Sequence, residues 1–229
     1  MGRKWTGATC TASPVTYSVK EIYYTLQGEG AQTGRPAVFL RFAGCNLWTG
    51  REKDRHNAIC KFCDTQFVGT DGPGGGKFKS PEDLAQAARA HWPEGSIAHG
   101  KPYVVCTGGE PLLQLDSAAI QAMQKLGFEV AVETNGTIGA PSELDWVCVS
   151  PKAGAKLVQK QGNELKLVYP QIEIEAQPER FQGLDFDHFF LQPMDSEHKE
   201  KNTQLTLEFC LAHPQWKLSL QTHKMLGIV

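Results

Sequence analysis

Cys45, Cys60 and Cys63 stand in one short run, GCNLWTGREKDRHNAICKFCDT (44–65), separated first by fourteen residues and then by two. Clustered thiols hold metal or do redox chemistry, and the number of thiols decides which. A structural zinc site wants four protein ligands; His56 lies inside the gap, but no second Cys-x-x-Cys or His pair completes such a site. A redox Cys-x-x-Cys would leave Cys45 without a role, and no long helix of thioredoxin type follows Cys63. A cubane [4Fe–4S] cluster normally takes four thiolates, so three leave one iron open to an external ligand. That arrangement suits a catalyst better than an electron wire.

Elements must carry these residues to a common place. SVKEIYYTLQ and AVFLRFAGC read as strands, and SPEDLAQAARAHW as a helix with a Ser cap, Pro at its first position and acids in its first turn. YVVCTGGEP is a short apolar run ending in Gly-Gly, and LQLDSAAIQAMQKLG a helix closed by Gly. FEVAVETNG, WVCVSPK, ELKLVYP and HFFLQP are further strands; TQLTLEFCLAHP is a last helix, and WKLSLQTH a final strand running to His223. Apolar strands alternating with helices imply an α/β fold with a mostly parallel sheet, incomplete because helices are scarce between the later strands. The strands end in CTGGE, ETNG, VSPK and LQP, so polar residues gather at the carboxyl end of the sheet, where parallel α/β proteins bind ligands. GTDGPGGGKFKS (69–80) reads as a flexible surface loop.

The chain has 229 residues, with 23 basic against 25 acidic, a formal charge of −2. That balance offers no field for nucleic acid or anionic lipid, and the expected ligand is a small molecule. No apolar run approaches the ~20 residues of a membrane span, and the start lacks a secretory signal, so a cytoplasmic protein is expected. Seven cysteines in a reducing compartment favour metal or chemistry over disulfides. Cys106, Cys148 and Cys210 read as inert, small hydrophobes. Cys10 falls in residues 1–15, read as a disordered or non-family tail before a single domain at 16–229.

TLQGEG, GRPAVFLRFAGCNLW, CKFCDT, CTGGEP, ETNG, SPK and LQP, in that order from about Tyr17, resemble the 7-carboxy-7-deazaguanine synthases of the radical S-adenosylmethionine (SAM) superfamily. The superfamily's usual first gap is three residues, not fourteen, but this family includes expanded forms. The resemblance implies an incomplete, truncated (β/α) barrel of radical SAM type. It also implies ring contraction of 6-carboxy-5,6,7,8-tetrahydropterin to 7-carboxy-7-deazaguanine, with release of ammonia, on the route to queuosine and related 7-deazapurines. SAM would be cleaved to a 5′-deoxyadenosyl radical that takes hydrogen from C6 of the pterin, and would then be regenerated. A glycyl-radical activase, and outside enzymes a zinc-stabilised binding module, are the alternatives.

Site residues follow from the same resemblance. Cys45, Cys60 and Cys63 would hold the cluster. Gly108, Gly109 and Glu110 would receive the methionine end of SAM, with Glu110 on its ammonium; Thr134, Asn135, Ser150, Lys152 and Gln192 would complete that side, Lys152 on the carboxylate. Gln27, Glu29, Arg41, Glu133 and His223 would bind the pterin, Arg41 through its carboxylate and Glu29 at its pyrimidine edge. The terminal carboxylate of Val229 would accept from pterin N–H groups. Thr65 is expected to join a magnesium ion that binds with the substrate. A flavodoxin or ferredoxin would supply electrons, and a homodimer is implied. The stretch between Cys45 and Cys60 is expected to be a short helix or loop that caps the cluster.

Overall fold

The computed structural model describes residues 16–95 and 100–228; the expectations for Cys10, the 1–15 tail and Val229 fall outside the described residues. Nine strands form one sheet: β1 (Tyr17–Leu26), β2 (Pro36–Phe42), β3 (Gly76–Phe78), β4 (Tyr103–Gly108), β5 (Glu129–Thr134), β6 (Trp146–Val149), β7 (Gln161–Tyr169), β8 (Asp185–Pro193) and β9 (Trp216–Leu218). Their order is β3-β1-β2-β4-β5-β6-β7-β8-β9. Every pairing from β2 onward is parallel, while β1 runs antiparallel to β2 and to β3. The sheet stays open between β3 and β9, as the incomplete-barrel reading requires.

Period-two alternation sorts each strand between two faces. Val38, Leu40 and Phe42 of β2, Val104 and Cys106 of β4, and Val130 and Val132 of β5 are buried under two helices, α1 (Pro81–His91) and α2 (Ser117–Lys125). The residues between them turn inward, where Phe39, Tyr103, Val105 and Ala131 form a small second cluster. A third helix, α3 (Lys199–Ala212), packs beside β8 and β9 over Leu165, Leu167, Phe189, Leu191 and Trp216. α1 starts where the Ser80 side chain accepts from the Asp83 amide at 3.1 Å, and α2 where Asp116 accepts from the Ala119 amide at 2.9 Å. Each cap satisfies one of the amides that a helix start leaves open.

Two expectations change. Part of the glycine-rich stretch is strand: Gly76–Phe78 pairs with Tyr17–Val19, because the outer edge of β1 still offers unpaired backbone groups, and the Gly72 amide caps the Lys20 carbonyl at 2.9 Å. The final strand stops at Leu218, and His223 lies instead on a short helix, α4 (Thr222–Leu226). The turn is drawn away from the sheet because the Thr222 amide bonds to the Gly28 carbonyl at 2.9 Å.

Candidate active site

A cavity of about 460 Å³ opens where the strands end, and two chemically distinct groups of side chains meet across it. At one end are the three cysteines. Cys45 leaves β2 through a positive-φ glycine, Gly44, whose carbonyl accepts from the Glu110 amide at 2.9 Å. The exit of β4 is thereby locked against the thiol-bearing loop. The approach is so close that a Cβ on Gly109 would lie 2.1 Å from the Gly44 oxygen and 2.8 Å from Cys45 Cβ. Gly109 is thus required by the chain's own backbone. Cys60 is buried, and Cys45 and Cys63 are half-buried. The Cys63 thiol is held low, at about 6, because the Cys60 thiol donates to it; burial opposes this and the Thr65 amide adds to it. Cys60 is pushed up by that same bond and by burial, and Cys45 by burial.

The expanded gap folds over this end as a 3₁₀ helix, Glu52–Asn57. Its ends are drawn together by the bond from the Ile59 amide to the Leu47 carbonyl at 3.0 Å. Arg55 lies 4.2 Å over the Trp48 ring and donates to the carbonyls of Lys61 at 2.7 Å and Cys63 at 3.1 Å. One guanidinium therefore grips the turn between Cys60 and Cys63 from outside.

At the other end, register builds a polar web. Arg41 stands opposite Thr107 across β2 and β4, and Glu133 stands opposite Cys148, all among the inward positions. Gln27 donates to Glu133 at 3.0 Å, and the Gln27 side-chain oxygen accepts from the Glu29 amide at 3.1 Å. Glu29 accepts from Lys166 at 2.5 Å, Gln221 at 2.9 Å and Gln192 at 3.1 Å. Burial alone would raise the Glu29 carboxyl, but the Lys166 ammonium outweighs it, with Gln221 helping, and holds the group near 2. Burial would lower the Lys166 ammonium, yet Glu133 and Glu29 keep it well above its ordinary value. His223 lies on α4 across Gly28, where a Cβ would fall 2.2 Å from His223 Nδ1. Glycine is what lets the imidazole cover this backbone.

Residues 56–166 match the Radical SAM superfamily model. The 7-carboxy-7-deazaguanine synthase of Caulobacter vibrioides is 62% identical over 93% of this chain and 100% of its own length, and that of Bradyrhizobium diazoefficiens is 59% identical over the same shares. The chain belongs to the 7-carboxy-7-deazaguanine synthase family. The crystal structure of QueE from Escherichia coli, 30% identical, superposes with a TM-score of 0.67 over 90% of this chain and 94% of that one.

Membership of a radical SAM family implies a [4Fe–4S] cluster and SAM, and the residues fit both. Three thiols face one cavity, with one of them lowered towards thiolate. Three soft thiol donors suit an iron–sulfur core that keeps one iron open, whereas a structural zinc takes four protein ligands.

Several of the residues expected from the sequence are placed differently by the synthase fold. Glu110 does not line the cavity; it is fully buried, and its carboxylate accepts from the Leu112 amide at 3.0 Å, Thr134 at 2.8 Å and the Asn135 amide at 2.8 Å. A carboxylate encased in this way orders the turns around it. Arg41 already bonds Glu21 at 2.7 Å and Tyr23 at 2.7 Å, because an inward-facing guanidinium needs a counter-ion. Gln192, expected beside SAM, lines the cavity and donates to Glu29 at 3.1 Å. The Lys152 ammonium is folded onto Ser150, 2.6 Å from its carbonyl and 2.7 Å from its hydroxyl. Asn135 bonds Asn46 at 3.0 Å, joining the end of β5 to the cysteine loop, and Thr65 lines the cavity.

Sequence reasoning missed Lys166, Gln221 and Arg55. A signal for Lys166 existed: in ELKLVY, Glu164 and Lys166 alternate with Leu165 and Leu167, a strand whose second face is charged yet must still be covered. Arg55→Ala is expected to leave iron loading close to wild type while iron loss to a chelator becomes about tenfold faster, on the scale usual for groups that support metal ligands. Equal loss rates would mean that the guanidinium does not restrain the turn.

Proposed function

We propose that this chain contracts the ring of 6-carboxy-5,6,7,8-tetrahydropterin to 7-carboxy-7-deazaguanine with loss of one ammonia. The change is redox-neutral overall. The observation that carries the reading is the opposition, across one cavity in a chain of this family, of three thiols and a web of carboxylates and amides. When bound, the cluster and SAM supply the one-electron chemistry: a hydrogen atom is taken from C6 and later returned.

The residues do the rest. Cys45, Cys60 and Cys63 hold the cluster; Gly108, Gly109, Thr134, Asn135, Ser150 and Lys152 border the place for SAM, with Glu110 behind them. Lys152, bonded twice to Ser150, keeps one of its three donors for a carboxylate. Glu29 and Glu133 accept from the N–H edge of the pterin, Gln27 and Gln192 keep them in place, and His223 covers the ring. Arg41 reads the substrate's acidic end by exchanging part of its contact with Glu21. A donor of flavodoxin or ferredoxin type supplies the electron, and the working form is a homodimer. Among the described residues, no helix is long and apolar enough to cross a membrane.

Magnesium belongs to the same proposal. It is a hard cation that combines few protein oxygens with those of a substrate. Thr65 follows the cluster-bearing turn and borders the cavity, so its hydroxyl is placed to share an ion with the pterin carboxylate. The test is anaerobic turnover with dithionite, SAM and the pterin, with and without magnesium. Chelation is expected to cut wild-type activity severalfold and to leave Thr65→Ala at its own lower level. A wild type indifferent to chelation, or a variant that responds as the wild type does, would contradict the magnesium role.

A further inference from the structure

Among the described residues, Lys166 is the cation that pairs with both carboxylates of the polar web. It projects inward from β7, its side chain is 7% exposed, and its ammonium lies 2.5 Å from Glu29 Oε2 and 3.5 Å from Glu133 Oε1. The acceptor positions around it can be accounted for. Glu29 Oε1 already accepts from Gln192 and Gln221, and Oε2 from Lys166. Glu133 Oε1 accepts from Gln27 and Lys166, while Oε2 accepts from the Thr107 hydroxyl at 3.4 Å. A carboxylate has about four acceptor sites, so each Oε2 keeps one unused. Both carboxylates border the cavity, and a pterin presents amino and ring N–H donors along one edge.

We infer that Lys166 is a positioning residue for substrate recognition: it holds Glu29 and Glu133 together as paired anionic acceptors, so that their remaining lone pairs read the N–H edge of the pterin. This rests on the function proposed above. Without the ammonium, two half-buried carboxylates, with side chains 16% and 24% exposed, would face each other without the cation that joins them, and the pair would be driven towards sharing a proton. A protonated carboxyl donates where the substrate needs an acceptor, and the edge is misread. A role for Lys166 as proton donor to the departing ammonia is disfavoured by the same surroundings. Two flanking carboxylates tighten its hold on the proton, whereas a general acid works best when its affinity for the proton is matched to the operating pH.

Lys166→Met and Lys166→Arg, each cluster-loaded and tested beside the wild type, decide the matter through two readouts: direct binding of the pterin in the oxidised, non-turning state with SAM present, and turnover. Loss of one charge-assisted contact corresponds to about 10- to 100-fold. Lys166→Met is therefore expected to weaken pterin binding, and to raise its KM, by that factor, with SAM affinity and iron content unchanged. Lys166→Arg, which keeps the charge, should recover to within about tenfold of wild type. Should Lys166→Met load iron poorly, Lys166→Met/Glu29→Gln removes the uncompensated charge; it should fold and still bind the pterin as weakly as the single variant. Pterin affinity within threefold of wild type in Lys166→Met, wild-type affinity in the double variant, or equal weakening of SAM and pterin would each overturn the inference. A wild type that neither binds nor converts the pterin would instead overturn the proposed function.

Discussion

Cys63→Ala is expected to assemble no [4Fe–4S] cluster and to turn over no substrate, and Cys45→Ala and Cys60→Ala to behave alike. The thiolate is the ligand, and Cys63 is the thiol whose surroundings most favour it: the Cys60 thiol and the Thr65 amide both donate to its sulfur. Among the described residues, the three other cysteines are placed away from this loop. Cys106 is buried within β4 among the apolar residues beneath α1 and α2, Cys148 faces Glu164, and Cys210 lies on α3. Burial pushes the Cys106 thiol up, so it stays protonated and apolar. Cys106→Ala should cost about 1 kcal/mol of stability through lost packing, and retain its cluster and most of its activity. Iron and sulfide content after anaerobic reconstitution separates the two classes; a Cys45 variant with full iron content would mean that the fourteen-residue gap does not join the ligand set.

The largest effect on stability is expected at Glu110. Glu110→Ala leaves the Leu112 and Asn135 amides and the Thr134 hydroxyl without their acceptor, in a place closed to water. A buried polar group that loses its partner costs about 1–3 kcal/mol, so the apo protein should lose about 3–5 kcal/mol. For a chain of this length that is a fall of about 10 °C or more in Tm. Glu110→Gln keeps one acceptor oxygen and should fall between alanine and wild type. A second readout follows from position: Thr134 and Asn135 border the cavity, so SAM should bind more weakly to the glutamine variant even where it is fully folded. A Tm within 2 °C of wild type for Glu110→Ala would show that these turns hold without the carboxylate.

The contrast between Cys63 and Glu110 shows what a sequence discloses. The cysteine triad is legible because few uses of three clustered thiols exist, and the motifs that follow it in fixed order, CTGGEP, ETNG, SPK and LQP, decide among them where the spacing leaves them open. The polar strand ends are legible too, since apolar runs that stop on Gly, Asn, Lys or Gln mark one end of a parallel sheet. GGE, in contrast, gives no sign that its glycines admit Gly44 and Cys45, or that its glutamate turns inward onto three donors. Apart from the Leu112 amide, two residues on, those partners come from the ends of other strands, and only the register of β2, β4 and β5 brings them together. Arg41 reads as an open fork for the same reason, because nothing local announces Glu21 opposite it on β1. Lys166 is a harder case, since a strand lysine ordinarily reaches water, and burial is decided by whether Glu29 and Glu133 arrive. The two errors of extent, at β3 and β9, come from short edge segments whose pairing depends on a neighbour's spare backbone groups.

The most direct test is the stoichiometry of anaerobic turnover by the wild-type protein. Reconstituted enzyme should be brown and should contain iron and acid-labile sulfide in about equal amounts, as a cubane requires. Given dithionite, magnesium, a limiting amount of SAM and excess 6-carboxy-5,6,7,8-tetrahydropterin, it should form 7-carboxy-7-deazaguanine well beyond the SAM supplied, with one ammonia released per product. A colourless protein carrying one zinc and making no product, or product that stops at one per SAM consumed, would contradict the account.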